Sequence, residues 1–176
     1  MRDERSDTEE HLLVMDAQDG DAKAMQELVR RWQKRLWKHV VRLTADADGA
    51  WDVTQETWLA IITGLRRLHD PAAFGVWAYR IATNKSVDWI RARKAAPEQS
   101  IDVADVGAQT HKKEIGIIEL LQKLDVRRRA VLTLHYFEDL SVAEIGAVLG
   151  IAEGTVKSRL HVGRKELREL WQRHSR

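Results

Sequence analysis

Residues 139–170 read DLSVAEIGAVLGIAEGTVKSRLHVGRKELREL, and the spacing inside this stretch decides the fold class. Ser141 and Glu144 form an S-x-x-E capping box, which satisfies two otherwise free amide donors at the start of a helix. Val142, Ile145 and Leu149 make a short inward stripe, and Gly150 stands where a left-handed cap ends that helix. Ile151 fills the corner. Val156, Leu160, Gly163, Leu167 and Leu170 then recur at alternating steps of four and three, the seam of a second helix. Two such helices joined by a glycine turn match a helix-turn-helix, whose second helix enters the DNA major groove.

The face opposite that seam carries Gly154, Thr155, Lys157, Ser158, His161, Val162 and Lys165, with Arg159, Arg164 and Arg168 on its shoulders. Small polar tips ringed by cations suit duplex DNA: phosphate contacts set position, and the central side chains read base edges. A helical hairpin with a solvated basic face is the plain alternative. The capping box, the glycine turn and the basic second helix together weigh against it.

Outward from this motif the chain is helical in pattern, and strand alternation is almost absent. Met25, Leu28, Val29, Trp32, Leu36, Val40 and Leu43 recur at steps of three and four, and the polar run 44–49 breaks them. A second helix places Ala50, Val53, Trp58, Ile61, Ile62, Leu65 and Leu68 inward. Asp70-Pro71 starts a third, with Asp as N-cap and proline at the first helical position. The run AAPEQSIDVADVGAQTH from Ala95 loses the helical period and contains Pro97 and Gly107, so it reads as a linker. Beyond it, Ile118, Leu121 and Leu124 predict a helix, and Asp125 caps another that contains Val131, Leu134 and Phe137. The expected fold is all-α. An acidic, disordered segment 1–11 precedes a helical bundle over 12–94, and a flexible linker over 95–112 joins it to a second domain over 113–173.

Composition narrows the partners. The net charge is only +2, yet residues 1–21 carry eight acids against two arginines and residues 157–176 carry seven Lys or Arg against two Glu. A basic end of this kind fits a polyanion, nucleic acid above all. There are no cysteines, which removes disulfides, thiolate nucleophiles and thiolate metal sites and suits a reducing cytoplasm. The acidic N-terminus lacks the apolar run of a signal peptide, and no segment has the apolar length of a membrane span. A cytoplasmic, soluble protein is the expectation.

Two further surfaces stand out. In FGVWAYRIATNKSVDWIRARK (residues 74–94) one side gathers Phe74, Ala78, Ile81, Ala82 and Trp89 as core. An adjoining strip carries Trp77, Arg80, Asn84, Asp88 and Arg91, and Tyr79, Val87 and Ile90 lie on yet another side. Flat rings that stack unpaired bases and guanidinium groups that follow a backbone are what a single-stranded nucleic-acid surface needs. A core helix with arginine stems lying along it is the competing reading. On the preceding helix, AWDVTQETW, Asp52 and Glu56 project from one face beside Gln55. No histidine stands at metal-ligand spacing nearby, so a protein-docking face is favoured over a di-metal site.

With these motifs placed, the chain resembles a bacterial extracytoplasmic-function (ECF) sigma factor of the sigma-70 family. The resemblance rests on DGDAKAMQELVRRW, AWDVTQETWL, the stretch 74–94 and LSVAEIGAVLGIAEGTVKSRLHVGRKEL, in this order. It implies that the first domain is region 2 and the second region 4, with no region 3 between. It further implies that Asp52, Gln55 and Glu56 dock on the clamp of core RNA polymerase. Phe74, Trp77, Arg80, Asn84, Asp88 and Arg91 would melt the minus-ten element and hold its unpaired bases. Thr155, Lys157, Ser158, Arg159, His161, Arg164 and Lys165 would read the minus-35 duplex. An anti-sigma factor, often membrane-associated, is the further partner that the resemblance implies.

Three positions depart from the family pattern: Trp51 replaces a small acidic residue, Ala152 a capping serine, and Val162 an arginine. Two other functions compete. A conventional helix-turn-helix regulator would bind duplex without polymerase, but it has no need of the strip from Trp77 to Arg91. An enzyme is disfavoured, because the seven histidines lack ligand spacing and neither a nucleophile–base pair nor a glycine-rich phosphate cradle is present. His135 beside Tyr136 reads as a packing pair. No cofactor is expected.

Overall fold

A computed structural model describes residues 4–95 and 112–174. Among them are eight α-helices and two short 3-10 turns, with no strand. The first domain is built from α1 (Glu4–Gln18), α2 (Ala22–Thr44), α3 (Ala47–Gly64) and α4 (Phe74–Ala95). The second contains α5 (Lys112–Gln122), α6 (Val126–Tyr136), α7 (Val142–Leu149) and α8 (Glu153–His174).

Local chemistry explains the boundaries. Asp21 caps α2 by accepting from the amides of Lys23 and Ala24 at 2.7 and 3.2 Å. Asp46 caps α3 through Gly49 N at 2.7 Å. Asp70 accepts from Ala72 N at 2.9 Å, and its 3-10 turn Pro71–Ala73 runs directly into α4. Asp125 caps α6 through Arg127 N at 2.9 Å. The predicted stripe of α2 is buried at Leu28, Trp32, Leu36, Val40 and Leu43, with Met25 and Val29 at its edge.

The structure departs from the sequence reading at the N-terminus and within α3. Residues 4–11, expected to be disordered, form the first half of α1. Val14 and Ala17 bury the helix against α2, and Glu10 accepts from Trp32 Nε1 at 3.1 Å, which anchors the acidic half. Ile62, expected inward, is 49% exposed. Its neighbour Ile61 takes the core-facing place, and Ile62, about 100° further round the helix, falls on the solvent side. Residues 96–111 of the linker lie outside the described residues, while Ala95 and Lys112 belong to α4 and α5.

The two domains touch. Helix α7 packs across α4, and α5 and α6 lie against α2, so one apolar cluster runs from Val14 to Leu160.

Candidate nucleic-acid interface

The helix-turn-helix forms as its caps dictate. Ser141 Oγ accepts from Glu144 N at 3.2 Å, and Glu144 Oε2 accepts from Ser141 N at 2.8 Å. Gly150 takes φ +64°, the left-handed region that glycine enters at low cost. A Cβ on Gly146 would come within 2.9 Å of the Ile151 carbonyl, so the tight corner excludes a larger residue there. In α8, Val156, Leu160 and Gly163 are buried and Leu167 and Leu170 half-buried. Gly163 admits Leu132 of α6, whose methyl would lie 3.1 Å from a Cβ.

The opposite face of α8 points to solvent. Thr155, Lys157, Ser158, His161, Arg164 and Lys165 are exposed, and Arg159 is half-buried. Lys157 Nζ makes a loose ion pair with Glu153 at 3.8 Å, which leaves its charge available to a phosphate. Val162 is 41% exposed among these polar groups, an apolar contact available to a base-edge methyl. At Ala152 the carbonyl accepts from Thr155 and Val156 at 2.9 and 3.1 Å, but alanine offers no side-chain cap.

On α4 the strip is real, with one correction. Phe74 is wholly buried, edge-on to Trp32 with centroids 5.3 Å apart, and offers no ring face to a base. Its role is to support Trp77, which is half-buried 6.2 Å away and rests on Gly64 of α3. A Cβ on Gly64 would meet the Trp77 ring at 3.0 Å. Arg80, Asn84, Asp88 and Arg91 are exposed, with a loose 3.8 Å pair between Arg91 and Asp88. Beyond Gly64 the turn carries exposed Arg66, Arg67 and His69, which helical periodicity could not single out. Gln18 of α1 pins that turn by donating to the carbonyls of Leu65 and Leu68 at 2.9 and 2.6 Å.

Asp52, Gln55 and Glu56 are exposed along α3 as expected, and Lys85 of α4 reaches Glu56 at 3.0 Å. Trp51 is 45% exposed and leans on Trp37, ring centroids 5.5 Å apart. Leu59 and Ile62 continue the row, so the acidic group sits in a partly apolar, exposed face of the kind that docks protein. The ends of α3 and α4 are tied by Arg93, which pairs with the capping Asp46 and lies over the Trp89 ring. Trp89 in turn fills the space above Gly49.

The structure therefore brings the exposed row Asp52, Gln55 and Glu56 and the exposed strip of Trp77, Arg80, Asn84, Asp88 and Arg91 together on adjacent helices, α3 and α4. The exposed basic face of α8 lies on the other domain. Between the domains is a polar centre that the sequence did not disclose. Glu138, in the turn after α6, reaches into the first domain, where Tyr79 Oη donates to it at 2.5 Å and Arg42 at 3.2 Å. His39 Nδ1 faces the same carboxylate at 3.5 Å, while its Nε2 pairs with Thr83 Oγ1 at 2.9 Å. Burial works to raise the Glu138 carboxyl, but His39, Tyr79 and Arg42 outweigh it and hold it below the ordinary carboxylate range. Burial and the neighbouring carboxylate push the Tyr79 phenol well above its usual value. Arg129, also buried, donates to the carbonyls of Leu121, Gln122, Leu124 and, across the interface, Leu43.

His135 stacks edge-on against Tyr136 at 4.8 Å, as a packing pair does. Among the described residues no cluster of His, Cys, Asp or Glu is arranged to hold a metal ion, and no helix is long and apolar enough to cross a membrane.

Comparison with known proteins agrees with this geometry. The sigma-70 region 2 family model matches residues 28–96, starting inside α2, and the sigma-70 region 4 model matches residues 115–167. The chain is 35% identical to the ECF RNA polymerase sigma factor SigE of Mycolicibacterium smegmatis, over 98% of this chain and 72% of that one. It is 28% identical to SigW of Bacillus subtilis, over 89% and 93% of the two chains. The solved structure of CnrH in complex with the cytosolic domain of CnrY superimposes with TM-score 0.74 at 28% identity, covering 93% of this chain and 97% of that one. With both regions matched in order, and that level of identity across nearly its whole length, the chain belongs to the ECF RNA polymerase sigma factors of the sigma-70 family.

Proposed function

We propose that three surfaces divide the work of promoter recognition in this sigma factor. The row Asp52, Gln55 and Glu56, extended by Trp51, Leu59 and Ile62, docks on core RNA polymerase. The strip Trp77, Arg80, Asn84, Asp88 and Arg91 holds one strand of the melted minus-ten element. The outer face of α8, from Thr155 to Lys165, reads the minus-35 duplex. The observation that carries this reading is the placement of an exposed docking row and an exposed aromatic–arginine strip on neighbouring helices, linked by the Lys85–Glu56 pair. Polymerase held on α3 would place its opened strand beside α4.

On this reading the chain acts as a non-catalytic subunit and works with the DNA in the cytoplasm. CnrH was captured with the cytosolic domain of CnrY; a regulator of the anti-sigma type is the corresponding partner here. Permanganate mapping tests the division of labour. Core polymerase and the chain together should open thymines within the minus-ten element, and neither alone should do so. Opening by the chain alone, or none by the mixture, would overturn it.

A further inference from the structure

We propose that Val162, on the outer face of α8, reads the 5-methyl group of a thymine and so fixes one base of the duplex element that this sigma factor selects. The inference deepens the reading of α8 given above and rests on it. A single exposed valine is ordinary on a protein surface; its surroundings set this one apart. Val162 is 41% exposed in the third turn of α8. Ser158 stands one turn before it and Lys165 one turn after it, both exposed and polar. On the face from Thr155 to Lys165, Val162 is the one exposed aliphatic side chain. The acids on its side of the helix are engaged by arginines: Glu166 pairs with Arg128 of α6, and Glu169 lies 3.7 Å from Arg173. The valine is thus an apolar tip in a cationic setting that a DNA groove can approach.

Its chemistry selects the ligand. Each base pair presents donors and acceptors in the major groove, and thymine alone among the four bases adds a methyl group there. Valine has no donor or acceptor to offer. Against a purine N7 or O6, or a cytosine amino group, it would displace water and return no hydrogen bond. Against a methyl group it removes apolar surface from water on both sides. The preference therefore comes from exclusion as well as attraction.

The tip is also held ready. A β-branched side chain in a helix keeps essentially one χ1 rotamer, so the two methyls lose little freedom on contact. The next residue, Gly163, is buried against Leu132 of α6, whose methyl would lie 3.1 Å from a Cβ, and this close packing seats the helix behind the valine. Thr155 stands on nearly the same line of α8, two turns nearer its start, about 10.5 Å along the axis. At about 3.4 Å per base pair, a helix lying along the groove would bring Val162 to a base about three steps beyond the one nearest Thr155.

The test uses holoenzyme assembled from core polymerase and the full chain, with duplex libraries randomised across the minus-35 element. The parent should enrich thymine at one position where Val162→Ala enriches no base. Deoxyuridine at that position, which lacks only the methyl, should weaken binding by the parent about fourfold, the worth of one buried methyl group. Cytosine carrying a 5-methyl group should bind better there than cytosine. With Val162→Ala, thymine and deoxyuridine should bind equally, whereas Lys157→Ala, which removes a charge, should weaken both alike and keep their ratio. Assembly of each variant with core polymerase shows that it is folded. Equal binding of thymine and deoxyuridine by the parent at every selected position would overturn the proposal, as would an unchanged ratio in Val162→Ala. Failure of the functional reading shows separately, as a holoenzyme that enriches no common element from the library, and it would remove this proposal with it.

Discussion

Tyr79 Oη lies 2.5 Å from Glu138 Oε2, and the two residues stand on different domains. The bond joins a phenol that is harder to ionise than usual to a carboxyl that is easier to ionise than usual. Their contributions to stability fail at opposite ends of the pH scale. A depressed carboxyl contributes stability above its free value of about 4.3, and that is lost as pH falls through the lower folded-state value. A raised phenol contributes fully below its free value of about 10, and that is lost as pH rises beyond it. The Tm of the chain should therefore fall as pH drops below about 4 and again as it rises above about 10. The groups facing the pair are His39, Arg42 and Arg35, the last acting on Tyr79.

Among the described glycines of the first domain, Gly49 leaves the least room for a side chain. A Cβ there would lie 2.3 Å from the Trp89 ring, which Arg93 covers from the other side. Gly49→Ala gains up to about 1 kcal/mol of helix propensity, but displacing the ring costs about 1–3 kcal/mol. A net loss of about 1 kcal/mol is expected, seen as a fall of several degrees in Tm by circular dichroism. A rise in Tm would show that Trp89 moves freely.

Trp77 is the ring of the strip proposed to hold the opened strand, half-buried over Gly64. Trp77→Ala should leave recruitment of polymerase to duplex promoter nearly intact and reduce open-complex formation about tenfold, since stacking is worth about 1–3 kcal/mol per base. Phe74→Leu should affect melting only through stability, because that ring is enclosed. Normal permanganate reactivity with Trp77→Ala would remove the tryptophan from the site.

Lys157 and Arg159 belong to the face of α8 proposed to read the minus-35 duplex. Replacing either with alanine should weaken promoter binding across sequences and lower the slope of log K against log salt by about 0.9 for each phosphate that is no longer neutralised. The exposed Lys157, held by a loose 3.8 Å pair with Glu153, should show this more cleanly than half-buried Arg159. Parallel slopes for variant and parent would deny these residues a phosphate role.

Features set by neighbours in sequence were legible in the sequence. The capping box at Ser141 and Glu144, the left-handed Gly150, and the caps at Asp70 and Asp125 all stand as read, because each is closed by a bond within about one helical turn. Features set by distant partners were not. Periodicity marks which residues are apolar but not what covers them, so Tyr79 fell outside both core and strip until Glu138 was seen to cover it. Helical position put Phe74 on the core side and only the family resemblance put it in the site; its burial against Trp32 agrees with the first. The acidic start of α1 has a weak apolar stripe and owes its place to Glu10 meeting Trp32 across 22 positions. Glu138 itself sits in a turn with no period at all, where nothing local marks a buried carboxylate.

Run-off transcription with reconstituted polymerase tests the central claim most directly. Core enzyme mixed with the purified chain should produce discrete transcripts from a subset of promoters in the chain's own genome. Those start sites should share one pair of elements, and they should disappear when the chain is omitted. Absence of any chain-dependent transcript, with core enzyme that initiates normally under another sigma factor, would contradict the account.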